Sequence, residues 1–527
     1  MARNTRSCMR CTRNVFPCEF IKDGLYFLPL TTRKEPMSND KTYFFSIDNE
    51  LVYMNYYSDF GPLNLGMLYR YCMKVNILRK HFFPEGIKLV HYTGRNPKKR
   101  TNAAFLIGSY AIIYLEMTPK QAHDILTQPN TPRLLEFRDA SMNATATYTI
   151  TLMDCFEGLY RALQYGFFNF TDFDLDEYET YEMIQFGDLN WIIPEKFIAF
   201  CGPSATGRVY KKPEFYIKYF KMNNVVAVIR LNEVNYNAEC FQKAGINHYE
   251  LYFVDGGVPP HEVLQMFLEI GEKSNGAIAV HCKAGLGRTG SLIGAYLMKH
   301  YRMKAREAIA WLRICRPGSV ICHQQAWMED MQHWLWKCGD YYRMRKYGNV
   351  DYISHHKYGI YSIKAKMQKR DQERKGTPTS KNITGSKEDQ QSTKKKSSYQ
   401  KTFYYGSNTV SQEKKEYTDN IRAVSKESHK LSTAIPYAGR TTDYNDSPKS
   451  LNCGQKSCVW QNKMRCTHSP QQCDSKKCGT CVPLCKKVFT QGDYLRAIKM
   501  QQSKATPQST RDNVFLNHSH KLSATKY

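Results

Sequence analysis

The run Gly276-Ala-Ile-Ala-Val280 is short and apolar and reads as a buried strand. Behind it, Ser291-Leu-Ile-Gly-Ala-Tyr-Leu-Met-Lys-His300 carries an apolar helical pattern. Asn224-Val-Val-Ala-Val-Ile-Arg-Leu231 is a second buried strand, and His248-Tyr-Glu-Leu-Tyr-Phe-Val254 alternates like a third. Helices are predicted over 261–272, 288–302, 304–314 and 324–338. Strands alternating with helices predict an α/β domain over 191–347.

The same order of elements occurs once more upstream. Val90-His91-Tyr92, Arg100-Thr101 and Leu106-Ile-Gly-Ser-Tyr110 parallel Val280-His281-Cys282, Arg288-Thr289 and Leu292-Ile-Gly-Ala-Tyr296. The first copy has a longer loop, and Tyr92 stands where the second has Cys282. Two tandem α/β domains are expected, the first unable to use a thiolate. The expected organisation is an irregular extension over 1–17, a first domain over 18–170, an acidic linker helix over 171–190, the second domain over 191–347, and a basic disordered tail over 348–527. The linker holds Asp172, Asp174, Asp176, Glu177, Glu179 and Glu182, with Asp188 just beyond. Its charge pattern alone reads as a solvated helix, whereas its place between two domains is where a substrate groove commonly forms.

Length and charge narrow the function classes. The chain of 527 residues suffices for about three domains. No stretch of about eighteen apolar residues occurs, so no membrane span is expected. Met1-Ala-Arg-Asn-Thr-Arg6 lacks the apolar core of a signal peptide, so secretion is not expected. The 18 cysteines are then expected as mostly free thiols in a reducing, intracellular compartment. Of the net charge of +27, residues 351–527 supply +19, with 33 Lys/Arg against 14 Asp/Glu. Such a tail can contact nucleic acid or cytoskeleton, or remain merely solvated. Cys8-x-x-Cys11 with Cys18 lacks a second pair. In the tail cluster Cys453, Cys458, Cys466, Cys473, Cys478, Cys481 and Cys485, only Cys478-x-x-Cys481 has tight zinc-ligand spacing. No metal or cofactor is assigned. Thr377-Pro378, Ser447-Pro448, Ser469-Pro470 and Thr506-Pro507 are candidate proline-directed phosphorylation sites.

The chemistry concentrates in His281-Cys-Lys-Ala-Gly-Leu-Gly-Arg-Thr-Gly290. Between a strand and a helix, Lys283, Ala284, Gly285, Leu286, Gly287, Arg288 and Thr289 can turn backbone N–H groups inward around a tetrahedral dianion. Gly285 and Gly287 permit the backbone angles this needs. Cys282, under those dipoles, is expected as a thiolate that attacks phosphorus. Arg288 offers a planar fork to two phosphate oxygens. The Thr289 hydroxyl can donate to the sulfur. A poor seryl leaving group needs an acid, and Asp255, at a strand end on a Gly/Pro-rich loop, is the candidate. Gln324 either positions the hydrolytic water or caps a helix. Phosphoinositide phosphatases tend to carry a lysine within the loop, where this chain has Leu286. A scaffold with incidental catalysis would not require Cys282, Arg288 and Asp255 to be intact.

Strings beyond that loop carry a closer resemblance. They are Tyr43-Phe-Phe-Ser-Ile-Asp48, Asp59-Phe-Gly-Pro-Leu-Asn-Leu65, Asn102-Ala-Ala-Phe-Leu-Ile-Gly108, Phe137-Arg-Asp-Ala-Ser141, Asp176-Glu-Tyr-Glu179 and Ile314-Cys-Arg-Pro-Gly-Ser319. With them the chain, over roughly 19–338, resembles the cell division cycle 14 family of dual-specificity phosphatases. The resemblance implies two tandem dual-specificity-phosphatase folds, the active site in the second, and a linker helix between them. It places the nucleophile at Cys282, the phosphate-binding arginine at Arg288 and the general acid at Asp255. It implies phosphoserine, and less so phosphothreonine, followed by proline, with Lys or Arg a few residues on, read by Glu179, Glu182 and Asp188. It further implies reversal of cyclin-dependent-kinase phosphorylation in mitotic exit, cytokinesis or cilium control, in nucleus and cytoplasm, centrosome or spindle. Two departures stand out. Cys322-His323 replaces the family's usual Gly-Pro before the paired glutamines, and Asp255-Gly256-Gly257 replaces Asp-Gly-Ser.

Overall fold

The computed structural model describes residues 17–143, 145–205, 211–376 and 490–505. The first half is built on a four-stranded sheet of β1 (Cys18–Ile21), β2 (Leu25–Pro29), β3 (Thr42–Phe45) and β4 (Lys88–Thr93), in the order β1-β2-β4-β3. β4 runs parallel to β2 and β3, as connections through helices require. A short antiparallel pair follows, β5 (Phe137–Arg138) with β6 (Thr149–Ile150).

The second half holds β7 (Leu189–Ile193), β8 (Phe197–Phe200), β9 (Val225–Arg230), β10 (Asn247–Glu250) and β11 (Ala277–His281), ordered β10-β9-β11-β8-β7. Only β7–β8 is antiparallel. β11 lies in the middle and is buried at all five positions, which is why it reads as an unbroken apolar run. The loop leaving its C-terminal end is therefore held on both sides, the usual place for a ligand in a parallel sheet.

The expected helices form as His261–Lys273, Gly287–Tyr301, Ala305–Cys315 and His323–Tyr347. The last extends well past the predicted 338. Its second half is pinned by buried Arg343, which donates to the Lys299 and Val350 carbonyls. The two halves share one continuous apolar core. Helix Leu152–Gln164 of the first half crosses Ala305–Cys315 of the second so closely that a Cβ on Gly158 would lie 2.5 Å from the Glu307 carbonyl oxygen.

The linker differs from the solvated helix its charges suggest. Only Leu175–Glu182 is α-helical, capped by the Asp174 carboxylate accepting from the Glu177 amide. Tyr178 on its inner face is fully buried and donates its hydroxyl to the Cys315 carbonyl. The tail expectation needs a larger correction. Residues 348–362 pack onto the core, where buried Tyr361 accepts from the Trp191 amide, and helices Ile363–Gly376 and Gln491–Ala505 form beyond. Apolar Ile360, Tyr361 and Leu495 are buried and explain why these pieces order. The cysteine pair at 8 and 11, the tail cysteines 453–485 and the four Ser/Thr-Pro sites lie outside the described residues. Among the described residues no helix is long and apolar enough to cross a membrane.

Candidate active site

Cys282 begins the loop between β11 and helix Gly287–Tyr301 and is 3% exposed. The loop closes tightly because of Gly285. Its φ is +68°, and a Cβ there would lie 2.0 Å from the Phe200 carbonyl oxygen. Ala284 and Leu286 are buried beside it. His281 beneath is fully buried, with Nδ1 2.9 Å from the Cys282 carbonyl and Nε2 2.7 Å from the Tyr236 hydroxyl.

Burial works against a thiolate at Cys282. The Arg288 guanidinium and donation from the Thr289 hydroxyl and amide outweigh it, so the thiol titrates below its ordinary value. Among the described residues the Thr289 hydroxyl has no other hydrogen-bond partner, which leaves it to the sulfur. Arg288 is locked by donation from Nη1 to the Leu231 and Phe253 carbonyls, at 3.1 and 2.8 Å. Its buried Nε has no protein partner among the described residues and remains available to an oxyanion.

Asp255 meets the same guanidinium, 3.1 Å from Nη2, and its other oxygen accepts from the Gly492 amide at 3.0 Å. Gln324 is fully buried. Its Nε2 donates to the Gly257 carbonyl at 3.0 Å, and its Oε1 accepts from the Ile321 amide at 3.1 Å. Both ends of this amide are engaged, and it ties the loop of Asp255 to the start of helix His323–Tyr347.

The acidic residues separate. Asp188 is 2% exposed, with φ +52°, and its Oδ1 accepts from Arg316 Nη1 at 2.8 Å and from Lys499 Nζ. Burial would raise its carboxyl, but those two cations hold it below the ordinary carboxylate range. Glu182 accepts from Asn64 Nδ2 at 2.9 and 3.1 Å, and its charge reaches Lys499. Glu179 instead forms a bidentate pair with Arg70, at 2.7 Å on both oxygens. Glu182 and Asp188 thus face one cation, while Glu179 is spent on another.

Sequence reasoning missed two parts of the site. Arg316 is fully buried and donates Nε to the Gly285 carbonyl at 2.7 Å and Nη2 to the Ala284 carbonyl at 3.1 Å, joining Asp188 to the phosphate loop. Helix Gln491–Ala505 lies across the site. Lys283 Nζ donates to Thr490 Oγ1 and Asp493 Oδ2, Arg496 donates to the Gly202 carbonyl, and Leu495 is buried among Tyr56, Ala140, Ala284, Leu286 and Ile321. Its signal was the Thr490-x-x-Asp493 spacing before Leu495 and Ile498, in which the Asp493 carboxylate accepts from the Thr490 amide and hydroxyl, hidden by the polar composition around it.

The first copy repeats the frame without the chemistry. β4 carries fully buried His91, whose Nδ1 lies 3.0 Å from the Tyr71 hydroxyl, as His281 lies against Tyr236. There the Asp48 carboxylate accepts from the Gly94 amide at 2.8 Å and the Thr93 hydroxyl at 3.0 Å. An internal carboxylate takes these two donors, and Tyr92 stands where the second copy has Cys282.

Residues 19–162 match the family model described as the dual specificity protein phosphatase N-terminal half, and residues 213–335 match the dual specificity phosphatase catalytic domain. Fold and site therefore define a dual-specificity-phosphatase architecture of two tandem domains. Human "Dual specificity protein phosphatase CDC14A" is 52% identical over 333 residues, covering 62% of this chain and 56% of that protein. Mouse CDC14B is also 52% identical over 333 residues, covering 68% of that protein. "Tyrosine-protein phosphatase cdc-14" of Caenorhabditis elegans is 40% identical over 332 residues, covering 60% of this chain and 47% of that protein. The chain belongs to the CDC14 family. The matched region spans little more than half the length of the human CDC14A relative.

Proposed function

We propose that the chain hydrolyses phosphoserine and phosphothreonine before proline, and phosphotyrosine, in proteins through a phosphocysteine intermediate. The observation that carries this is one buried cluster: a Cys282 thiol titrating low, Arg288 beside it, and Asp255 held 3.1 Å from that guanidinium. The phosphoryl group sits on the inward amides of residues 283–289, with Arg288 taking its oxygens. Cys282 attacks phosphorus and the P–O bond to the substrate breaks. Asp255 gives its proton to the departing oxygen. Water then attacks the phosphocysteine, Asp255 takes its proton, and the Thr289 hydroxyl supports the returning thiolate. Gln324, with its amide spent on the Asp255 loop, serves to fix that loop.

Glu182 and Asp188 form the acidic groove that favours a substrate Lys or Arg, with Glu179 contributing only through Arg70. Lys499 on Asp188 supports this reading, since it shows an ammonium fitting that carboxylate. The cell-division names of the relatives support a role against proline-directed kinases in cell-cycle control. A thiolate nucleophile also needs a reducing, intracellular compartment. The test is release of phosphate from a phosphoserine-proline-x-lysine peptide. Cys282→Ser should abolish it while still capturing phosphoprotein, and preference for inositol phospholipids over the peptide would overturn the substrate class.

A further inference from the structure

Arg316 connects two features that the reaction treats as separate. It is buried and donates on three sides: Nε to the Gly285 carbonyl, Nη2 to the Ala284 carbonyl, and Nη1 to Asn190 Oδ1 at 2.8 Å and Asp188 Oδ1 at 2.8 Å. In a planar trans peptide the C=O and N–H point in opposite directions. Drawing the Ala284 and Gly285 carbonyls toward Arg316 therefore turns the N–H groups of Gly285 and Leu286 the other way. Those are two of the donors around the phosphoryl position. The guanidinium thus sets the aim of the cradle, and Asp188 fixes the guanidinium.

Asp188 is also the carboxylate on which a cation sits. Lys499 and Arg316 share its Oδ1. Glu182 accepts from Asn64 and Tyr178. A second donor on Oδ1 restrains the same atom that holds the end of Arg316.

We infer that Asp188 is a positioning residue for phosphoryl transfer as well as a recognition residue, acting through Arg316 on the Gly285 and Leu286 amides. A basic residue on the substrate then speeds formation of the phosphocysteine in addition to improving binding. The inference rests on the acidic-groove reading above, and its consequences separate from that reading.

The first test uses an aryl phosphate, which carries no cation for the groove, and orthovanadate as a probe of the cradle. Asp188→Asn also removes the partner of Lys499, so both constants are measured in full-length chain already carrying Lys499→Met. Adding Asp188→Asn should lower kcat on the aryl phosphate and weaken vanadate inhibition by roughly tenfold to a hundredfold, the scale of a misplaced catalytic group. Asp188→Glu, which keeps the charge, should recover part of both. Unchanged kcat and vanadate inhibition would overturn the inference.

The second test needs no variant at Asp188 and so survives any failure of that variant to fold. Single-turnover phosphorylation of Cys282 is followed in the Lys499→Met chain, in which the chain's own lysine no longer occupies Asp188, with phosphoserine-proline-x-lysine and phosphoserine-proline-x-norleucine peptides. A higher limiting rate with lysine supports the coupling. Different half-saturation with equal limiting rates overturns the coupling and leaves the groove standing. Equal values of both remove the groove reading itself.

Discussion

Nη2 of Arg288 lies 3.1 Å from Oδ1 of Asp255, so the proposed phosphate ligand and the proposed proton donor are already paired in the folded chain. An incoming phosphate dianion competes for the guanidinium. On the proposed reading, a phosphate that takes Arg288 frees the Asp255 carboxyl to turn toward the leaving oxygen. Asp255→Ala should slow phosphoserine peptides by about 10²–10⁴-fold, the range for a lost general acid. Activated aryl phosphates, whose leaving groups need less protonation, should lose far less. Steady-state kinetics on both substrates checks this, and equal slowing removes Asp255 from the acid role.

The Cys282 thiol is held below its ordinary value of 9.0, which means that the charged form is favoured in the folded chain. Alkylation by iodoacetate follows the thiolate. Its rate should stay on a plateau at high pH and fall only as pH drops through a midpoint below 9.0. Arg288→Ala removes the nearby cation and Thr289→Val removes a donor to sulfur. Each should move the midpoint upward, the arginine change more. A midpoint that neither substitution moves would mean that other dipoles hold the thiolate.

The first domain carries a matching frame in which the Asp48 carboxylate takes two of the donors. Asp48 occupies the Gly94 amide and the Thr93 hydroxyl, so a cysteine at Tyr92 would meet a carboxylate where phosphate must bind. Tyr92→Cys in a Cys282→Ser chain should show no phosphate release. Its thiol should alkylate no faster at neutral pH than an ordinary cysteine, because an adjacent carboxylate disfavours a second negative charge. Measurable turnover would show that Asp48 yields to phosphate.

What the sequence made legible follows the range of each interaction. The Cys282 loop is contiguous, and its strand–loop–helix frame is read from a few neighbouring residues. Asp255 was reachable because a Gly/Pro-rich loop after an alternating run announced it, although β10 itself stops at Glu250. Asp48 meets Gly94 from 46 residues away, and Arg316 meets Gly285 from 31. Neither contact leaves a periodic trace. Glu179 and Glu182 look equivalent on a helical wheel, yet Arg70, 109 residues before Glu179, claims one of them. Helix Gln491–Ala505 was lost in a basic, polar segment because its order comes from one buried leucine and paired charges rather than from its own amphipathic pattern.

That leucine gives the last prediction. Leu495 is 2% exposed against Tyr56, Ala284, Leu286 and Ile321, and burying such a side chain stabilises by about 1.5–3 kcal/mol. The surrounding contacts are polar pairs: Lys283 with Asp493, Lys499 with Asp188, and the Gly492 amide with Asp255. Such pairs add less when one side faces water. Leu495→Asp would lose the apolar burial and place a carboxylate in the same pocket, so the docked population should fall by more than about tenfold, the equivalent of 1.4 kcal/mol. Hydrogen exchange across 491–505 reads this directly, and so does acetylation of Lys283 and Lys499, which are side-chain exposed to only 26% and 17% when the helix is in place. The variant should show fast exchange and raised labelling of both lysines. Protection as strong as in the parent chain would mean that the polar pairs alone hold the helix over the Cys282 loop.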